Sequence, residues 1–485
     1  RHACIVALAA CADAKALREL ATDAAPSVRR AVVVAMRRTQ NVEVVRFLDD
    51  ADGSIVTEAA RAINDVPLSA ALEALAKLLD RSGLNEATQV RALNANYRLG
   101  KAEHAEAVAR FAARSDAPLS LRLEALKMLE AWAKPGGRDR VVGVWRPVNE
   151  SRANLAVLAL QKNLGGLFAG PDAIRRESAR VAAKLGIKEV GQALLTLLTD
   201  PLASPNAKVE ALLALETLKD RRLEAAVSFA LNTRGVVRAA AIDVLSRTNP
   251  DQAIEKIKQV LASSPTIEKQ RVFDTLGNMK SEAAHALLSK ALDQLIDGKI
   301  PAEAQLELVE AAAKIPALKD KLPEASKKDR FRHSLMGGDA QRGRDLFINK
   351  TAVACLRCHK AEGLGVGEVG PDLTGIGAKH KRDYLLESIV EPNKVIAKGY
   401  ETAELILTNG TTRSGIVRAE TDKEIVLLTP EGAQISVRKD RIEQRNIGRS
   451  AMPEDLHKHL SPREMRDLIE FLASLKNPPK EDFPK

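Results

Sequence analysis

Along the first two thirds of this 485-residue chain, a block of small and aliphatic residues with an arginine or lysine near its start keeps returning. It reads Val28-Arg29-Arg30-Ala31, Val90-Arg91-Ala92-Leu93, Leu121-Arg122-Leu123-Glu124, Ile174-Arg175-Arg176, Ala207-Lys208-Val209-Glu210 and Val236-Val237-Arg238-Ala239. The steps from Arg175 to Lys208 and on to Arg238 are 33 and 30 residues. A period of that length predicts stacked helix pairs, an α-solenoid. Turns carrying Asp and Pro precede several blocks, as in Asp23-Ala24-Ala25-Pro26 and Ser204-Pro205-Asn206. Abundant alanine suits such a stack, because small side chains let paired helices approach and each repeat buries its apolar face only against its neighbours. The repeats are expected over residues 1–322, followed at 323–337 by a charged linker containing Ala325-Ser326-Lys327-Lys328-Asp329-Arg330.

Composition narrows the function classes. With 45% hydrophobic and 28% charged residues the chain reads as an ordinary soluble protein, and no stretch approaches an uninterrupted apolar transmembrane length. A net charge of +10 raises nucleic acid as a ligand, but aromatics are only 3%, no recognition motif appears and the basic residues are dispersed, so no nucleic-acid binding is expected. The positive balance serves solubility equally well, or steers an acidic partner. Cys4 and Cys11 lie in or just after the apolar run Ala3-Cys4-Ile5-Val6-Ala7-Leu8 and read as buried helix cysteines. The chain opens at Arg1, inside a helical pattern and without a leader, and reads as a fragment of a longer protein.

Near the end of the chain stands Cys355-Leu356-Arg357-Cys358-His359. Two thiols at this spacing can add to the two vinyl groups of one porphyrin, and the adjacent imidazole then lies beneath the metal. A redox dithiol would want a βαβ context, which is missing, and a zinc site would want a second ligand pair nearby, whereas Cys4 and Cys11 are more than three hundred residues away. Upstream, Gly343-Arg344-Asp345-Leu346-Phe347 reads as a short helix whose apolar side chains cover one edge of a haem. Downstream, Gly363, Gly365, Gly367 and Gly370 suit a chain that wraps tightly round a flat cofactor, and Pro371 follows. A backbone carbonyl in that loop is the expected acceptor for the His359 Nδ1 proton.

The candidates for a sixth iron ligand are Met452, Met465, His380, His457 and His459. Met465 recurs with Leu468, Ile469 and Leu472 at helical spacing and reads as core, in a helix opened by a Ser461–Glu464 capping box with Pro462 at its first position. Met452 lies in Gly448-Arg449-Ser450-Ala451-Met452-Pro453, a loop without apolar periodicity that the proline holds extended, and it is the preferred candidate. His457 and His459 are the alternatives and read otherwise as a solvated polar stretch, while His380 reads as part of a basic surface run. The separation from His359 to Met452 is 93 residues, longer than a compact single-haem fold needs, so an insertion is expected. Residues 401–449 turn to strands, with Leu405-Ile406-Leu407-Thr408 leading into the hairpin signal Asn409-Gly410 and further short strands near Ile416, Val426 and Ile435. A small antiparallel barrel or meander is expected, covering haem edge and buttressing the methionine loop.

Taken together, Gly343 to Phe347, Cys355 to His359, Gly370 to Leu373, Ser450 to Pro453 and the helix from Ser461 to Leu475 resemble a class I c-type cytochrome. More narrowly, residues 338–476 resemble the haem-binding domain of multidomain proteins of planctomycetes and verrucomicrobia, in which HEAT-type repeats precede the cytochrome and a sugar-dehydrogenase-like β-propeller often precedes the repeats. The resemblance implies a mainly α chain, a HEAT-like α-solenoid followed by a class I cytochrome c domain with a small antiparallel β insertion at 401–449 and a short tail at 477–485. It implies one covalent haem c, attached through Cys355 and Cys358, with His359 as proximal and Met452 as distal ligand. Covalent attachment implies a periplasmic or otherwise exported protein, and the family's larger assemblies suggest membrane association.

Two functions follow from this reading. In the first, the chain is an electron-transfer module, itself not catalytic, between a dehydrogenase domain or partner and a respiratory acceptor. In the second, it is a docking scaffold whose repeats grip a protein or polysaccharide and whose haem is a sensor or accessory. A peroxidase would need an open distal side with an acid or base near the iron, which Met452 leaves no room for.

Overall fold

A computed structural model describes residues 2–148, 152, 155–365 and 367–477. The tail expected at 477–485 lies outside the described residues except for Asn477. The chain is mainly helical with one small antiparallel sheet. It divides into two compact units, Arg1–Thr248 and Asn249–Lys485. No helix among the described residues is long and apolar enough to cross a membrane.

In the first unit the recurring blocks become helices that stack on one another. Pro26–Arg38 packs on Gly53–Asn64, which packs on Glu86–Leu99, and farther on Asp172–Lys184 packs on Pro205–Thr217, which packs on Val236–Thr248. Alanines make this close packing sterically easy, as in Ala102–Ala113, where Ala105, Ala107, Ala109 and Ala112 are all buried. The arginine near the start of each block has a local reason. Arg29 pairs with Asp50 at 2.7 Å, Arg91 with Asp65 at 2.8 Å and Arg175 with Asp200 at 2.6 Å, tying each block helix to the turn of a neighbouring element. Cys11 is a free, exposed thiol at the last position of helix His2–Cys11, not the buried cysteine expected; the apolar run ends just before it.

The second unit begins with more helices of the same kind. Thr266–Asn278 packs on Gln305–Ala313, with Glu282–Ile296 against both. The segment expected as a charged linker is tied down. Phe331 and Ser334 are buried, Arg330 donates to the Leu460 carbonyl at 2.7 Å, and Ser334 Oγ donates to the Pro462 carbonyl at 2.9 Å. An entry helix, Ala340–Asn349, then crosses the C-terminal helix Pro462–Ser474. Ser461 Oγ accepts from Glu464 N–H at 3.2 Å and the Glu464 carboxylate accepts from Ser461 N–H at 2.9 Å, a capping box that starts the C-terminal helix where Pro462 fits without losing a bond. Phe347 is buried against Phe471, ring centroids 5.5 Å apart. Its apolar surface is therefore used in the helix crossing, within the core against which Cys355, Leu356 and Met452 pack. Met465 is fully buried in the same core, beside Leu468, Ile469 and Leu472.

The insertion forms five antiparallel strands: β1 Thr402–Leu407, β2 Thr412–Glu420, β3 Glu424–Leu428, β4 Gln434–Arg438 and β5 Ile442–Ile447. Their order is β4-β3-β2-β1-β5, so a four-stranded meander is completed by a last strand that returns beside the first. Ala403 pairs with Ile447, and Gly448 N–H donates to the Thr402 carbonyl at 2.8 Å. The two ends of the insertion therefore meet, and the long separation of His359 from Met452 does not imply a long open loop. One face carries its own small core of Ala403, Leu405, Ile425, Leu427 and Val437. The opposite face contributes Ile416 and Leu428 to a second cluster with Val369.

Candidate haem-attachment site

The Cys355–His359 run folds as one tight turn. Ala354 enters it in the left-handed region at φ 43°, a conformation that costs an alanine about 1–2 kcal/mol, and residues Cys355–Arg357 form a single 3₁₀ turn. Cys358 N–H and His359 N–H both donate to the Cys355 carbonyl, at 3.2 and 3.0 Å. Both thiols are free and half-buried. Burial pushes the Cys355 thiol up to about 11 and raises that of Cys358, so both are protonated sulfurs lying in an apolar setting. Cys355 packs against the core that holds Leu356 and Met452, and Cys358 against the cluster of Val369 and Ile416.

His359 Nδ1 lies 2.9 Å from the Pro371 carbonyl oxygen. A carbonyl can only accept, so Nδ1 carries the proton and Nε2 keeps its lone pair. Burial pushes the imidazole pKa down while the Pro371 bond works the other way, and the net result favours the neutral ring that a metal requires. Nε2 has no hydrogen-bond partner among the described residues. Gly370 explains how the loop approaches so closely. A Cβ there would stand 2.7 Å from His359 Cε1 and 2.8 Å from Nδ1, while the Gly370 N–H itself donates to the Cys358 carbonyl at 2.8 Å. Leu373 N–H donates to Lys360 O at 2.8 Å, closing the wrap.

On the other side, β5 runs directly into the loop that bears Met452. Thr402 Oγ1 donates to the Arg449 carbonyl, and Ser450 N–H donates to Asn393 Oδ1 at 2.7 Å. Met452 is half-buried against the core shared by Cys355 and Leu356. A cavity of about 610 Å³ is lined in part by Asn393, Ser450, Met452, His457 and Lys458.

The other candidates are distributed differently. Met465 is at zero exposure within the core. His459 is exposed, and His380 stacks on Tyr384 with centroids 4.0 Å apart. His457 departs from the solvated stretch expected of it: it is half-buried, edge-on to Phe331 at 6.2 Å, and its Nδ1 is buried without a hydrogen-bond partner. The cause is Phe331, which the preceding segment brings under the short turn Leu456–His459. Two anchors on the haem segment were not legible in the sequence. Arg466 is buried in a double hydrogen bond to Glu307, at 2.7 and 3.0 Å, and Arg382 pairs with Glu470 at 2.7 Å. No local signal marks an arginine on an amphipathic helix as buried; the partner acids are remote in the chain.

The donor set therefore fits a covalently held haem: two sulfurs at one turn, a neutral imidazole with its outer nitrogen free, and a thioether on a loop packed against the same core. Comparison with curated proteins finds no match. Residues 340–429 match the family model of cytochrome c, from the entry helix through Cys355, Cys358 and His359 to just past the end of β3, stopping short of Met452. This stretch of the chain is a cytochrome c domain, a type of domain that holds covalent haem c and serves electron transfer, typically outside the cytoplasm.

Proposed function

We propose that this chain is an exported electron-transfer module holding one haem c, attached through Cys355 and Cys358 and ligated by His359 and Met452. The observation that carries the reading is the turn that brings both thiols and a singly protonated, Pro371-bonded imidazole together within a stretch that matches cytochrome c. When bound, the haem supplies the one-electron Fe(III)/Fe(II) couple. The chain's own residues do the rest. Pro371 fixes the His359 tautomer and ring plane, so that Nε2 presents its lone pair in one direction. The apolar core beside Cys355, Leu356 and Met452 keeps water from the site, and a thioether ligand favours the reduced iron.

The stacked helices before it are read as a HEAT-like solenoid over 1–322, which carries the cytochrome at its end and offers a face to a protein or polysaccharide. The electron donor is then a dehydrogenase domain or partner, the acceptor a respiratory carrier, and the chain the outlet of a larger assembly with catalysis elsewhere. Expression with c-type maturation, followed by potentiometric titration in the visible region, tests this reading. A low-spin haem that cycles reversibly with one electron per chain supports it. A high-spin haem that binds carbon monoxide in the reduced state would sink electron transfer and favour the sensor role.

A further inference from the structure

One small apolar cluster touches three separate parts of the haem-holding chain. Ile416 and Leu428, from the face of the sheet opposite its own core, meet Val369, two residues before Pro371; Cys358, one of the attaching thiols; and Ala451, next to Met452. Polar pins lie on either side of it. Arg418 of β2 donates to the Glu368 carbonyl and stacks over Tyr400, centroid 5.6 Å away, holding the proximal loop. Thr402 of β1, paired with Ile416 across the sheet, donates to the Arg449 carbonyl and accepts the Gly448 N–H through its own carbonyl, holding the distal loop. Apart from these, the distal loop is held chiefly through Asn393.

We propose that the β insertion is a brace that binds the proximal and distal loops into one body, so that the Met452–iron bond opens only when the sheet's grip on residues 448–451 is released. Thr402 is a positioning residue for Met452, and Gly448 is the point at which the grip can be wedged apart. A Cβ on Gly448 would collide with the Thr402 hydroxyl, yet its backbone is not in the left-handed region, so an alanine there disturbs the contact and not the local conformation. The brace rests on the His359/Met452 ligation proposed above.

Exogenous imidazole, titrated into the ferric holoprotein, reads the opening directly, since it binds iron only where methionine has let go. Thr402→Val keeps the shape and strand preference and removes one hydrogen bond; it should tighten apparent imidazole binding ~5-fold. Gly448→Ala should tighten it by about tenfold or more. Combined, the two should give less than the product of their separate effects, because both act on one contact. Thr412→Val, on an exposed position at the far end of β2, should leave the affinity unchanged. Wild-type affinity in both Thr402→Val and Gly448→Ala, with the near-infrared methionine-to-iron band intact, would overturn the brace while leaving the ligation standing. An equal effect from Thr412→Val would overturn it as general softening of the sheet. A wild-type protein without the methionine band would overturn both the ligation and the brace.

Discussion

Glu307 and Arg466 offer the sharpest test of how the haem segment is mounted. Their side chains are 3% and 5% exposed and joined by two hydrogen bonds, one of 2.7 and one of 3.0 Å. Glu307 lies on the repeat helix Gln305–Ala313 and Arg466 in the first turns of the C-terminal helix, which crosses the entry helix in the core against which Cys355 and Met452 pack. Removing the carboxylate alone, in Glu307→Leu, strands a guanidinium where water cannot reach it. Breaking one partner of such a buried pair costs about 3–5 kcal/mol. For a unit of this size that corresponds to roughly 6–20 °C in Tm. Replacing both, in Glu307→Leu with Arg466→Met, removes the stranded charge, and with it the Arg466 Nε that is buried without an acceptor. The double variant should therefore return to within ~1 kcal/mol of wild type or exceed it. Urea unfolding of the holoprotein, followed in parallel by far-ultraviolet circular dichroism and by the haem Soret band, gives both numbers. A Glu307→Leu protein within ~0.5 kcal/mol of wild type, the size of an ordinary surface substitution, would show that the pair does not anchor the two helices.

Three further outcomes follow from particular residues. Met465→Ala should cost about 2–5 kcal/mol in unfolding free energy while leaving the iron spectrum unchanged, because Met465 is a fully buried core residue. Gly370→Ala should crowd the His359 ring and lower the haem incorporated per chain, measured by pyridine haemochrome; incorporation equal to wild type would show that the loop yields easily. Arg180 and Lys184 hold the Glu130 carboxyl down at about 2, well below its usual range, so its contribution is present above the ordinary carboxylate range and is lost as pH falls towards 2. After allowance for solvent screening, Glu130→Gln should destabilise the first unit by about 1–2 kcal/mol at neutral pH and by nothing near pH 2, measured by chemical unfolding at both values.

What could be read from the sequence was what is written locally. The haem turn, the capping box at Ser461–Glu464 and the strand-rich insertion are short patterns, each decided by the chemistry of a few adjacent residues. The block period announced stacked helices, and the recurring arginine marked their starts, but its partners Asp50, Asp65 and Asp200 were invisible because charged turns look alike before they fold. The same limit hid the Arg466–Glu307 pair, 159 residues apart in the chain, and the Thr402–Arg449 pin, 47 apart. His457 departs from its expected solvated setting for a related reason. Its surroundings come from a remote segment, the one that bears Phe331.

Haem ligation is the claim on which the rest depends. The near-infrared spectra of the ferric holoprotein and of Met452→Ala decide it. With Met452 on the iron, a weak methionine-to-iron band is present in the wild type, disappears in Met452→Ala and persists in Met465→Ala. A wild-type spectrum without that band, or a Met452→Ala protein that retains it, would contradict this ligation.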